Sequence, residues 1–261
     1  MRSRRESEGS MNGPSVAAAQ AVSIRGDVSA NVEHHGRLAE LAASHGAHLI
    51  VFPELSLTGY ELNIAAELAF SAFDERLKPL EEVARATKAI LVVGAPVRLA
   101  LRLHIGAFVI EAGQEIRLYT KRHVHSSEVN VFVPGNLDPM ISAEGETAAL
   151  AICADTSQPS HAASAAERGA SIYLAGVFVS PEGIQVDTER LAGYASRHSM
   201  LVAMANAGAG ASRLDSAGGS SIWSPEGTRV AHVEGLGAGV ALARKTEAGW
   251  VGESHVLQPA P

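Results

Sequence analysis

Short aliphatic runs alternate along this chain with segments that carry apolar residues at helical spacing, and that alternation limits the fold to a layered α/β arrangement. VAAAQAV (16–22), HLIVF (48–52), ILVVGAPV (90–97), ETAALAIC (146–153), SIYLAGVFV (171–179) and MLVAMAN (200–206) read as buried strands. Between them, the segment from Asn31 to His45 places Val32, Leu38, Leu41 and Ala42 near helical spacing. Residues 76–88, 161–170 and 191–199 also read as helices. LHIGAFVI, the turn EAGQ and EIRLYTK make a hairpin pattern, and the last part (SSIWS, PEG, TRVAHVE, GAGVALAR) is rich in strands. Mixed sheets covered by helices are the expected result.

No linker rich in Pro, Ser or charge divides the 261 residues, so one domain over 16–261 is the simpler reading. The segment MRSRRESEGSMNGPS (1–15) holds no apolar stretch of the kind a secretory signal needs and reads as a flexible arm. No apolar run approaches bilayer length, so no membrane partner is expected. The net charge of -7 argues against a broad phosphate-binding surface, hence against nucleic acid. A single cysteine excludes a disulfide framework within one chain and fits a reducing, cytoplasmic setting.

Three polar residues stand at the ends of apolar strands. Glu54 follows LIVFP, Lys121 follows EIRLYT and Cys153 follows TAALAI. Strand ends hold side chains rigidly while the adjoining loops leave room for a ligand. A thiol is a poor nucleophile until it loses its proton. A carboxylate can take that proton, and an ammonium can stabilise both the thiolate and the oxyanion of a tetrahedral intermediate. Singly, each residue has a plainer reading: a buried small side chain, a cap, a solvated strand end. Together they make a workable catalytic set.

The blocks AAAQAVSIRGDVSANV, LIVFPELSLTGYE, YTKRHVHSSEVNVFVPGN and LAICAD follow one another in an order that resembles the carbon–nitrogen hydrolase family, also called the nitrilase superfamily, in its amidase-like branch. The resemblance covers nearly the whole chain after residue 15. It implies a four-layer α-β-β-α sandwich, with Glu54 as general base, Lys121 as catalytic lysine, Glu128 as a second glutamate holding the lysine and substrate, and Cys153 as nucleophile. It also implies a homodimer or larger homo-oligomer. Two places depart from the family pattern. In CADTSQPSH, Ser160 replaces the usual glutamate, and in YASRH, Arg197 and His198 replace an acid and an amide.

The reading that follows is hydrolysis of a small linear carboxamide to an acid and ammonia through a cysteine thioester, with no cofactor. The Ala154 amide joins Lys121 in binding the oxyanion, and Tyr60, Phe178 and Arg197 are candidate pocket residues. N-carbamoyl or nitrile hydrolysis by the same residues is the alternative, and a non-catalytic binding protein on the same fold is another. A catalytic metal is not expected. His123 and His125 would share a face if they lay on a strand, and Glu128 is near in sequence, but no second ligand cluster supports them. His34 and His35 lie in a helix and read as exposed. The Gly-rich stretches 207–212 and 234–239 lack the GK[ST] ending of a phosphate loop and read as turns.

Overall fold

The computed structural model describes residues 13–210 and 214–258. Most of the segment read as an arm, residues 1–12, lies outside the described residues, and Ser15 already belongs to the first strand. In chain order the elements are β1 (Ser15–Gln20), α1 (Val28–Ser44), β2 (Leu49–Val51), α2 (Ala65–Leu68), α3 (Lys78–Thr87), β3 (Ile90–Leu99), β4 (Arg102–Ile110), β5 (Arg117–Thr120), β6 (Ile141–Ala143) and β7 (Glu146–Ile152). There follow α4 (Pro159–Glu167), β8 (Ile172–Val177), α5 (Ile184–His198), β9 (Leu201–Asn206), β10 (Ser221–Trp223), β11 (Arg229–His232), β12 (Gly239–Thr246) and β13 (Gly249–Val256).

Two mixed sheets result. The seven-stranded sheet has the order β13-β12-β1-β2-β3-β4-β5, and the six-stranded sheet the order β11-β10-β9-β8-β7-β6. Alternation along the strands sorts the core into three apolar layers. Val16, Ala18, Leu49, Val51 and Val92 face Leu150, Ile152, Ile172 and Leu174 between the sheets. Ala17, Ala19, Ile50 and Phe52 turn outward onto Leu38 and Ala42 of α1 and Leu80 and Ala84 of α3. Ala149, Ala151, Tyr173 and Val202 turn outward onto Ala162 and Ala165 of α4 and Leu191 and Tyr194 of α5. This is the four-layer α-β-β-α sandwich. Strands packed on both sides are apolar throughout, which is why they read as continuous aliphatic runs.

Local signals set the helix ends. The Asp27 side chain accepts from the Ala30 amide at the start of α1, a cap worth about 1 kcal/mol. Pro79 and Pro159 sit in the first turns of α3 and α4, where a missing N–H costs nothing.

The parallel stretches position the site. β1, β2 and β3 run parallel in one sheet, and β7, β8 and β9 run parallel in the other. The segments leaving β2 and β7 carry Glu54 and Cys153.

Several expectations need correction. His35 is fully buried: its ring stacks on Phe52, Nδ1 meets the Asn31 carbonyl at 2.6 Å, and Nε2 meets Ser56 Oγ at 2.8 Å. Burial without a charged partner holds its pKa down at about 3, so it is a neutral packing residue. His123 and His125 lie in the turns after β5 rather than on a strand. The strand β13 follows what reads as the last strand. Its sequence, GWVGESHV, lacks an aliphatic run because it is an exposed edge strand that buries little.

Candidate active site

Glu54 is delivered by the turn Phe52–Leu55 at the end of β2. That backbone crosses both sheets at close range. A Cβ on Gly94 of β3 would stand 2.3 Å from the Pro53 carbonyl oxygen, and one on Gly176 of β8 would stand 2.5 Å from the Phe52 carbonyl oxygen. Glycine at both points is what lets the turn sit between the sheets. Leu55 completes the turn with φ 52°, a left-handed conformation held by full burial of its side chain.

Lys121 leaves β5 with its backbone still paired: its N–H donates to Ile105 O at 2.8 Å, and its carbonyl accepts from Gly135 N at 2.8 Å. The side chain is wholly buried. Nζ donates to Glu54 Oε1 at 2.6 Å and to Glu128 Oε1 and Oε2 at 2.9 and 2.8 Å. Glu128 is held further by the His125 amide at 2.8 Å and by the Tyr60 hydroxyl at 2.7 Å. The Tyr60 ring stacks on Phe178, centroids 4.5 Å apart. Tyr60, Glu128, Lys121 and Glu54 therefore form one continuous buried chain of polar contacts.

Cys153 begins the 3-10 turn Cys153–Ser157 directly after β7, with φ 42°. A non-glycine residue in that region stores strain, which is commonest where a side chain must be aimed. Cys153 is half-buried, and Sγ lies 3.6 Å from the Phe178 carbonyl. Cys153 stands close enough to Glu54 to lower the carboxyl pKa slightly.

The site's titration follows from burial and mutual charge. Burial pushes the Glu54 carboxyl up, Lys121 pulls it down and Glu128 pushes it up again, leaving it at about 7. Burial would lower the Lys121 pKa, but Glu54, Cys153 and Glu128 more than offset it and hold the ammonium charged. Burial and the Glu54 charge push the Cys153 thiol far up, more than Lys121 pulls it down. Near neutral pH the resting arrangement is a thiol, an ammonium and a carboxyl poised to accept a proton. The groups titrate together rather than singly.

Asp155 locks the turn that begins at Cys153 to the segment after Lys121. It is fully buried. Oδ1 accepts from the Arg122 and His123 amides at 3.1 and 2.8 Å and lies 2.9 Å from His123 Nδ1. Oδ2 accepts from the Tyr119 hydroxyl at 2.7 Å and the Ile152 amide at 3.0 Å. The Tyr119 hydroxyl continues to His161 Nε2 at 3.0 Å, and His161 Nδ1 to the Tyr173 hydroxyl at 2.9 Å. Asn206, at the end of β9, ties down the residue after Phe178: Oδ1 accepts from the Val179 amide at 2.9 Å, and Nδ2 donates to the Val179 carbonyl at 3.2 Å. Asn206 is absent from the residues picked out by sequence. The signal was there, since it is a polar residue closing an apolar strand, as Glu54, Lys121 and Cys153 are.

The structure brings Glu54, Lys121, Glu128, Tyr60, Phe178 and Cys153 together, with Ala154 next in the Cys153–Ser157 turn. It does not bring Arg197 to them: Arg197 is on the exposed side of α5, whose buried face is Leu191, Tyr194 and Ala195. His123, His125 and Glu128 do not form a ligand set. His123 is engaged by Asp155, His125 by Ser127 Oγ at 2.8 Å, and both Glu128 oxygens by Lys121. Ser160 is exposed in the first turn of α4. No helix among the described residues is long and apolar enough to cross a membrane.

Comparison with known proteins agrees with this geometry. The amidase from Nesterenkonia sp. AN1 superposes with a TM-score of 0.80 at 26% identity, covering 90% of this chain and 94% of that one. A mutant of that amidase carries the acetamide moiety of fluoroacetamide covalently added at its active-site cysteine; it matches with a TM-score of 0.81 at 25% identity, covering 91% of this chain and 92% of that one. A hydrolase in the pqqF 5′ region of Pseudomonas protegens is 27% identical over 212 residues, 78% of this chain and 73% of that protein. The glutamine-dependent NAD(+) synthetase of Mycobacterium tuberculosis is 32% identical over 111 residues, 42% of this chain but only 16% of the synthetase's length. The carbon-nitrogen hydrolase family model matches residues 15–245, and the chain belongs to that family.

Proposed function

We propose that this protein hydrolyses a small linear carboxamide to a carboxylic acid and ammonia through a thioester on Cys153. The observation that carries the reading is the buried meeting of Glu54, Lys121 and Cys153, with Lys121 Nζ 2.6 Å from Glu54 Oε1. The high thiol pKa means that the nucleophile is made at the moment of attack. Glu54 takes the proton from Sγ as the sulfur adds to the carbonyl carbon. The oxyanion forms against the Lys121 ammonium and the Ala154 N–H. Glu54 then returns the proton to the leaving nitrogen, the C–N bond breaks, and ammonia departs. Water enters, Glu54 accepts one of its protons, and hydroxide adds to the thioester carbonyl. Collapse breaks the C–S bond, releases the acid and restores the thiol. Glu128 keeps Lys121 aimed.

Amide is chosen over nitrile because the nucleophile stands in CAD, and because the amidase neighbour is an amide hydrolase by name. The Tyr60–Phe178 stack beside Sγ supplies a flat apolar wall for a small acyl group. A panel of carboxamides, N-carbamoyl compounds and nitriles scored by ammonia release tests the substrate class, with intact mass reporting the acyl-enzyme. Turnover of nitriles alone would overturn the amide assignment. Assembly as a homodimer or larger homo-oligomer belongs to the same proposal, and light scattering at micromolar concentration tests it.

A further inference from the structure

We propose that His45, Glu253 and His255 bind one divalent transition-metal ion, with zinc the best match, and that the ion staples the edge strand β13 to the C-terminal end of α1. The site is independent of the amidase reading. Glu253 and His255 lie beyond residue 245, where the family match ends.

The residues come from two elements. His45 is the residue that caps α1, and its carbonyl accepts from Arg244 Nη2 at 2.7 Å, which fixes its backbone. Glu253 and His255 are two apart on β13, so their side chains leave the same face of the strand. That face pairs with Leu242 and Val240 of β12, which pack into the apolar layer under α1 and α3. The cluster therefore lies on the helix-covered outer side of the first sheet, whereas Cys153 follows a strand of the second.

One ligand atom from each of the three residues lies within 4.8 Å of the others. The His45 and His255 rings stack with centroids 3.5 Å apart and planes 17° apart. His255 Nε2 is buried and has no hydrogen-bond partner among the described residues. Glu253 Oε2, the acceptor nearest to hand, stays at 3.5 Å, too long for a good hydrogen bond. A buried imidazole nitrogen left without a partner calls for an occupant. In a tetrahedral zinc site, bonds of about 2.0–2.2 Å place ligand atoms roughly 3.3–3.5 Å apart. The observed separations close to that by small side-chain rotations, which also open the ring stack. Two imidazoles and one carboxylate suit Zn²⁺, Ni²⁺ or Cu²⁺ and not the oxygen-seeking Ca²⁺ or Mg²⁺. Three protein ligands leave a fourth position for water. The Arg244 charge nearby weakens the site relative to a neutral surround, so moderate affinity is expected.

The ion would close the last exposed strand against the body of the protein. Besides its ladder with β12, this end is held by the Leu257 N–H on the Ala238 carbonyl at 2.9 Å, by the Leu257 side chain against the outer apolar layer and by Arg37 Nη2 on the Gln258 carbonyl.

The test is a Zn²⁺ titration of the chelator-treated full chain by calorimetry, with thermal melting alongside. Wild type should take up one equivalent and melt at a higher temperature when loaded. His45→Ala and His255→Ala should each lower the affinity roughly tenfold or more. Glu253→Gln, a conservative change at an exposed position, should do the same with an unchanged circular dichroism spectrum, which separates lost ligation from lost fold. Absence of stoichiometric uptake by wild type would overturn the proposal. So would uptake of equal affinity in all three variants, which would place the zinc on other histidines or on the Cys153 thiol.

Discussion

Lys121 Nζ lies 2.6 Å from Glu54 Oε1, with both side chains wholly out of solvent. The pair ties the end of β5 to the end of β2. It also sets the protonation of Glu54, because the ammonium is the main group that opposes the upward push of burial and of Glu128 on that carboxyl.

The first prediction is a pH profile. Glu54 must be ionised to act as base, and its carboxyl titrates at about 7. The kcat/KM for a carboxamide should therefore rise with pH along an acidic limb centred near 7. A limb near the ordinary carboxylate value would show that Glu54 is not the group being titrated. The same shift bears on stability. The folded state holds this proton more tightly than the unfolded chain, so the protonated carboxyl favours folding, and that contribution falls as pH rises from 4.5 through about 7. In Glu54→Gln, the slope of stability against pH across this window should flatten.

Glu54→Gln keeps the size of the side chain but cannot accept a proton. General-base assistance is worth roughly 10²–10⁴-fold, and Glu54 serves in both half-reactions of the proposed cycle, so kcat should fall at the upper end of that range. Alkylation of Cys153 by iodoacetamide should slow as well, because burial keeps the resting thiol protonated and the variant lacks the group that takes its proton during attack. Unchanged alkylation in the variant would mean that another group deprotonates the thiol.

Lys121→Ala removes a cation from between two buried carboxylates. Turnover should be lost together with stability, by about 3–5 kcal/mol. Denaturant unfolding measures the second effect. The loss should shrink at acidic pH, where the Glu54 carboxyl is protonated. An active variant of wild-type stability would make Lys121 a bystander.

Gly176→Ala tests the close crossing of the sheets. The added Cβ would stand 2.5 Å from the Phe52 carbonyl oxygen, a distance that forces the Glu54 turn to move. Activity should fall by roughly 10²-fold, as for other small misplacements of a catalytic group. Cys153 should still be present and alkylatable in the folded variant. Full activity would show that the turn can shift without cost.

Much of this was legible in the chain. The buried strands were, because a stretch packed on both faces must be apolar throughout, as AALAI is in β7 (Ala148–Ile152). Glu54 and Cys153 were, because each is a polar residue just past such a run, and Lys121 was because it stands at the end of the shorter strand β5. Asn206 closes one too, but its task is to tie Val179 by its backbone, and no spacing announces that partner. The edge strand β13 was not legible, since its residues are largely exposed and carry no aliphatic pattern. His35 read as exposed because one helix turn cannot say that Ser56 and Phe52, from another segment, will cover it. Arg197 was placed in the pocket by its neighbourhood in sequence, and the helix phase puts it on the outer side instead.

The central claim is that Cys153 forms the acyl intermediate. It is tested most directly by quenching wild type and Cys153→Ala during turnover of a small carboxamide, then reading intact mass and ammonia together. Wild type should release ammonia and show an acyl adduct that maps to Cys153. The folded alanine variant should show neither. Ammonia released by Cys153→Ala at a rate near that of wild type would contradict it.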